Sequence, residues 1–173
     1  YEYRNSYVEK TTVEQEESRL VLDTYQSLLN KVYNLLDEAQ IKRIVEKLRM
    51  AKRVYVCGRG SSGLAAEEMA TRFRWIGIDM VALRDNENIK MQSVFLNPQN
   101  LVIGLSLSGT KSEVLYMLAR GCRQGADTIL ITEKNRKSYE DFCREVILVP
   151  SLQHLNHGNL ISPQFPLLMM IDI

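Results

Sequence analysis

From Val13 to Leu36 the apolar residues Leu20, Tyr25, Leu28, Leu29, Val32 and Leu36 recur at three-and-four spacing, with Glu14, Glu16, Glu17, Asp23 and Lys31 between them. That period predicts an amphipathic helix. Residues 1 to about 12 are polar, contain tyrosines and carry no apolar period, and they read as a linker. Asp37 followed by Gln40 three residues later has the form of a capping box, and Ile41, Ile44, Val45 and Leu48 then mark the apolar face of a second helix.

Beyond Ala51 the texture changes. Short aliphatic or β-branched runs, Val54 to Cys57, Met80 to Leu83, Leu101 to Leu105, Thr128 to Thr132 and Val146 to Val149, alternate with segments of helical length. Such runs are what strands buried on both faces of a parallel sheet look like. The fold class is therefore α/β: a three-layer α-β-α sandwich around a five-stranded parallel sheet of flavodoxin-like order 2-1-3-4-5, preceded by a linker helix. In that order the binding crevice lies beyond the C-terminal ends of strands one and three. Ser138 reads as the cap of a following helix, and Phe165 to Ile173 as the start of another. Met69, Phe73 and Trp75 stand at helical spacing and are expected in the core or on a dimer face. The division is 1–36 for the linker and helix, and 37–173 for the α/β domain.

Lys plus Arg number 22 and Asp plus Glu 21, a formal charge of +1, so no general positive field exists to hold a nucleic acid. No apolar run approaches the roughly 18–20 residues that cross a bilayer, and no signal peptide opens the sequence, so no membrane partner is expected and the location reads as cytoplasmic. The three cysteines, Cys57, Cys122 and Cys143, lie within apolar or helical patterns and suit reduced thiols. With two histidines and no Cys-x-x-Cys pair, no metal ligand set is expected. The sequence begins at Tyr1, which reads as a piece of a longer protein.

Candidate chemistry lies in two turns. Gly58-Arg59-Gly60-Ser61-Ser62-Gly63 follows strand one and opens the helix of Leu64, Ala65 and Met69. Glycines let the backbone turn tightly, and the N–H groups of the helix start point at an anion. The letters also satisfy Gly-x-Gly-x-x-Gly, and Asp85 beyond strand two can serve as the ribose-binding acid, so a nicotinamide-dependent oxidoreductase stays open. Ser106-Leu107-Ser108-Gly109-Thr110-Lys111-Ser112 follows strand three and leads into the helix of Val114, Leu115 and Leu118. Two hydroxyl-rich anion cradles facing one crevice suit a small phosphorylated ligand without cofactor or metal.

Gly58-x-Gly60-x-Ser62, the Ser106-x-Ser108-Gly109 loop followed by Glu113-Val114, and Ile129-Leu130-Ile131-Thr132 together resemble a sugar isomerase (SIS) domain, a flavodoxin-like phosphosugar-binding module of isomerases and transcription regulators. The similarity runs from about Leu36 to the end. With the preceding helix and Ala51-Lys52-Arg53-Val54, the chain looks most like the linker and effector domain of an RpiR-type regulator. The resemblance implies that Ser62, Ser106 and Ser108 contact phosphate, with Gly60, Ser61, Gly109 and Thr110 in the same loops and Thr132 as the usual threonine after strand four. It departs from the family at Lys111, where a threonine is usual. It also implies a homodimer or dimer of dimers, and DNA contact only through an upstream helix-turn-helix domain absent from this chain.

Isomerising relatives generally supply a glutamate and a histidine late in the domain, but between Ser151 and Ile171 there is no Asp or Glu. His154 and His157 are there, on a polar loop. The expectation is a sensor that binds a sugar phosphate without turning it over, with an aldose–ketose isomerase as the alternative. Arg59 as a phosphate clamp, Glu113 at the helix start and His157 as a sugar contact complete the candidates. The charged run Glu133 to Lys137 reads as a solvated loop.

Overall fold

The computed structural model describes residues 2–151 and 161–173, with side chains from Ser18 onward. The chain opens with α1 (Glu2–Leu35) and α2 (Glu38–Met50). It continues as β1 (Arg53–Gly58), α3 (Ser61–Trp75), β2 (Met80–Leu83) and α4 (Asn86–Ser93). Next come β3 (Asn100–Leu105), α5 (Ser112–Arg123), β4 (Asp127–Thr132), a 3-10 turn (Lys137–Asp141), β5 (Glu145–Leu148) and α6 (Phe165–Asp172). The five strands are all parallel in the order β2-β1-β3-β4-β5, the order expected from the alternation of runs.

Period-two alternation within each strand divides the core into two layers. Val54, Val56, Leu101, Ile103, Leu105, Ile129 and Ile131 face α2, α3 and α6. Tyr55, Cys57, Val102 and Leu130 face α4, α5 and the 3-10 turn. Each such side chain withdrawn from water contributes about 1.5–3 kcal/mol. A one-residue slip in register would exchange the two sets, so the register that aligns the strand ends is firmly fixed.

Asp37 caps α2 as its sequence predicts, its carboxylate accepting from the N–H groups of Ala39 and Gln40 at 2.9 and 3.2 Å. Gln40 does not complete a reciprocal box. Its amide instead donates to the Glu145 carboxylate at 3.0 Å and to the Val146 carbonyl at 3.1 Å, pinning α2 to β5.

Two expectations are corrected. The residues read as a linker are helical from Glu2. Residues 1–12 contain no Gly or Pro, and a helix nucleated downstream propagates through such a stretch at one backbone hydrogen bond per residue without an apolar period. Ser138 caps no helix: it lies inside the tight 3-10 turn, which burial of its neighbour Tyr139 holds in place. Of the three residues expected in the core or on a dimer face, Met69 is buried and Phe73 packs half-buried against the core, while Trp75 is 82% exposed at the end of α3. Among the described residues no helix is long and apolar enough to cross a membrane.

Candidate functional site

Gly58 and Leu105 are partners in the β1–β3 register, so the turns that leave these two residues start side by side, one strand spacing of about 4.8 Å apart. The first turn is shaped by contact between backbones. A β-carbon on Gly58 would lie 2.5 Å from the Ser62 carbonyl oxygen, so only glycine lets β1 run this close to α3. Gly60 stands at φ +56° as the residue before the helix, and its carbonyl accepts from the N–H groups of Gly63 and Leu64 at 2.9 and 3.2 Å. Ser61 and Ser62 thus occupy the first turn of α3, where backbone N–H groups and the helix dipole favour an anion. Ser62 is buried, Ser61 half-buried.

The second turn is braced from outside. The Leu107 carbonyl accepts from the Thr132 hydroxyl at 3.1 Å and from the Glu133 N–H at 3.0 Å. The Tyr139 hydroxyl donates to the Gly109 carbonyl at 3.0 Å in a fully buried setting. Gly109 has φ +63°, and a β-carbon there would collide with the Tyr139 hydroxyl. Ser108 and Thr110 are exposed and share a hydroxyl–hydroxyl bond of 2.9 Å. Ser106, the first residue beyond β3, is 1% exposed, and its hydroxyl has no hydrogen-bond partner among the described residues. A buried hydroxyl in that state costs about 1–3 kcal/mol, and an acceptor arriving between the turns would recover that cost.

Charged groups rim the two turns. The Arg59 guanidinium donates to the Arg84 carbonyl at 3.1 Å from Nη1, and its Nε lies 3.8 Å from Glu113 Oε1 in the first turn of α5. Glu113 accepts from the Ser112 hydroxyl at 3.1 Å. Hydrogen bonding from its own backbone N–H and from Ser112, with Arg59 and Lys111 nearby, holds its carboxyl below the usual range. Lys111 sits at the residue before α5 with its side chain exposed.

Asp85 is spent on capping α4: its two oxygens accept from the Asn88 N–H and the Asn88 side-chain amide at 2.8 and 2.7 Å. That leaves it poorly disposed to grip ribose hydroxyls. Burial pushes the Cys57 thiol up to about 12, so the cysteine that ends β1 is an apolar filler rather than a nucleophile.

Of the candidates, Arg59, Gly60, Ser61, Ser62, Ser106, Ser108, Gly109, Thr110, Lys111 and Glu113 therefore come together at one end of the sheet. Thr132 comes there as well, but fully buried, with its hydroxyl donating to Leu107 and accepting from the Lys134 N–H at 3.2 Å; it braces the second turn. His154 and His157 lie outside the described residues. Tyr139, the other brace, carries no signal in the sequence, since it follows a charged run and sits 30 residues from its partner.

A hollow of about 330 Å³ adjoins the second turn, lined by Asn86, Lys90, Ser112, Glu113 and Tyr116. A larger one, about 570 Å³, lies at the opposite end of the strands, against Lys52, Asn100 and Asp127. It has neither the glycine turns nor the helix starts that suit a phosphate, and open α/β sheets bind ligands at the other end. Among the described residues no cluster of His, Cys, Asp or Glu could hold a metal ion.

A family model described as the SIS domain matches residues 47–171, which include both turns. The chain belongs to the SIS domain family. The match begins inside α2, so α1 lies outside it.

An uncharacterized HTH-type transcriptional regulator of Haemophilus influenzae is 28% identical over 147 residues, covering 85% of this chain. The chain spans 51% of that relative's length. Among solved structures, the NanR protein of Vibrio vulnificus complexed with ManNAc-6P is similar at a TM-score of 0.77 and 19% identity, covering 92% of this chain and 59% of that one. The sugar isomerase domain of an RpiR transcription factor from Sphaerobacter thermophilus is similar at a TM-score of 0.71 and 22% identity, covering 89% and 88%. At these identities the two structures speak for the shared SIS fold.

Proposed function

We propose that this SIS domain is the phosphosugar-binding effector domain of an RpiR-type transcriptional regulator and binds its ligand without turning it over. One observation carries the reading: the Ser106 hydroxyl, buried and without a hydrogen-bond partner among the described residues, stands at the start of the second of two turns that leave adjacent strand ends. A phosphate monoester placed there accepts from Ser106, from Ser62 and from the N–H groups of the α3 start, while the dipoles of α3 and α5 favour its charge. The HTH-type regulator among its relatives and the ManNAc-6P bound to NanR support the assignment of class and ligand. DNA would be contacted only by a helix-turn-helix domain upstream of α1, in a cytoplasmic protein. The apolar residues Leu22, Leu29 and Tyr33, exposed along one side of α1, support a homodimer.

The test is calorimetric titration with a panel of sugar phosphates, the matching free sugars and NAD. A sugar phosphate binds and its free sugar does not, and Ser106→Ala lowers that affinity about 10- to 100-fold, as expected for a hydrogen bond to a charged group. The unliganded melting temperature stays within about 2 °C, since the lost hydroxyl has no partner among the described residues. A folded Ser106→Ala protein that binds as tightly as wild type overturns the reading. An isomerase is the second reading, favoured by the position of the Glu113 carboxylate in the first turn of α5 beside the cradle. Stereospecific isomer formed at more than a trace rate, and abolished in Glu113→Gln, would decide for it.

A further inference from the structure

Arg59 reaches from the first turn toward two other elements. Its Nη1 is tied to the carbonyl of Arg84 at the end of β2, and its Nε faces Glu113 on α5 at 3.8 Å. The side chain therefore lies across the mouth of the crevice, partly shielded on both sides, with side-chain exposures of 35% for Arg59 and 25% for Glu113. At 3.8 Å the pair attracts by charge but is too long for a hydrogen bond. Among the described residues, only the Nη1 group of the guanidinium carries a hydrogen bond; its remaining N–H donors have none. A phosphate dianion between the turns offers several strong acceptors in bidentate geometry to the same guanidinium.

We propose that Arg59 and Glu113 form a latch over the phosphate cradle, in which the Glu113 carboxylate competes with the ligand's phosphate for the Arg59 guanidinium and so sets how tightly any phosphate monoester is held. The inference rests on the cradle described above. Glu113 does not depend on Arg59 to stay in place, because Ser112 and the helix start hold it independently. The ligand takes over a cation whose resident partner remains nearby, still negatively charged and still drawing the guanidinium toward itself. Glu113 is thus a specificity-determining residue that weakens binding of simple phosphates. The penalty is common to every phosphate monoester, so only ligands whose remaining groups make further contacts beyond the cradle reach high affinity.

The competing roles of Glu113 give opposite signs. A ligand-contacting carboxylate loses affinity on neutralisation; a competing one gains it. Inorganic phosphate, titrated into the whole chain and followed by amide chemical shifts of residues 58–63 and 106–112, is the probe. Glu113→Gln tightens phosphate about two- to fivefold, the range for an exposed ion pair. Arg59→Met weakens it about tenfold or more, as for loss of a charge-assisted bond. The double variant binds no more tightly than Arg59→Met alone, because the coupling passes through the guanidinium.

If Glu113→Gln binds phosphate equally or more weakly, or if it tightens phosphate just as much when Arg59 is already Met, the latch is wrong. Ser106→Ala separates this from the underlying reading. If that variant loses phosphate while Glu113→Gln changes nothing, the cradle stands and the latch falls. If Ser106→Ala retains phosphate fully, the cradle itself is misplaced.

Discussion

The turn after β1 is held by its own backbone, with the Gly58 Cα packed against the Ser62 carbonyl and α3 beginning three residues later, at Ser61. The turn after β3 is held by side chains from a different part of the sheet, Thr132 at the end of β4 and Tyr139 in the 3-10 turn, which bond to its carbonyls. Both end at a helix start beside the same gap, but one is rigid because nothing else fits and the other because distant residues anchor it. The difference sets what each can vary. The first turn tolerates little change in backbone and presents hydroxyls from helical positions. The second presents hydroxyls from a loop, with Ser106 buried and without a partner among the described residues, and Ser108 and Thr110 exposed and paired to each other.

The largest effect that would test this contrast is Gly58→Ala. The added β-carbon meets backbone atoms, which cannot swing aside as a flexible side chain does, so the strand and helix must separate. A loss of about 3 kcal/mol is expected, the upper end for overpacking. Thermal unfolding would show it as a fall in melting temperature of roughly 6–12 °C. Gly60→Ala, with nothing within 4 Å of its new carbon, pays only for a backbone of φ +56° and ψ −127°, about 2 kcal/mol. If the two substitutions cost the same, backbone contact is not what holds the first turn.

Tyr139→Phe is the matching test of the second turn and is smaller. It removes one buried hydrogen bond and leaves the Gly109 carbonyl without that donor, a cost of about 1 kcal/mol. Amide hydrogen exchange sharpens the contrast: protection at 106–110 falls while 58–63 is unchanged. Equal loss in both turns would mean that the two are one mechanical unit, and the contrast would fail.

How much of this was legible in the sequence follows the same division. The five strands were readable because apolar runs report burial directly, and each lies within one residue of its expected start and end. The first turn was readable because its glycines act mostly on near neighbours: Gly58 meets Ser62 and Gly63, and Gly60 accepts from Gly63 and Leu64, while Gly63 meets the distant Arg84 side chain as well. The second turn was readable only in part. Ser106 and Ser108 stood out by type, but a hydroxyl's state depends on what surrounds it in space. Nothing in the chain told that Ser106 would be unpartnered and Thr132 saturated. Tyr139 was hidden because its partner is 30 residues away and the neighbouring run Glu133 to Lys137 suggests a solvated loop; of that run residues 135–137 are exposed, while Glu133 and Lys134 are half-buried. The Arg59–Glu113 pair joins positions 54 residues apart in sequence, and only the β1–β3 register brings them together.

The smallest effect concerns the exposed hydroxyls of the second turn. Thr110→Val keeps the shape of the side chain and removes one end of the Ser108–Thr110 bond, at 2.9 Å on the surface. Water replaces an exposed partner at little cost, so stability changes by less than about 0.5 kcal/mol. Ligand affinity decides what the bond is for. If Ser108 and Thr110 hold each other in the ligand-free chain and both turn to the phosphate on binding, Thr110→Val removes a donor and weakens phosphate a few-fold. If Thr110 serves only to orient Ser108, Thr110→Ser restores binding fully while Ser108→Ala does not. If neither substitution changes phosphate affinity, the exposed half of the second turn takes no part, and Ser106 must carry that side of the cradle with the backbone N–H groups of the α5 start.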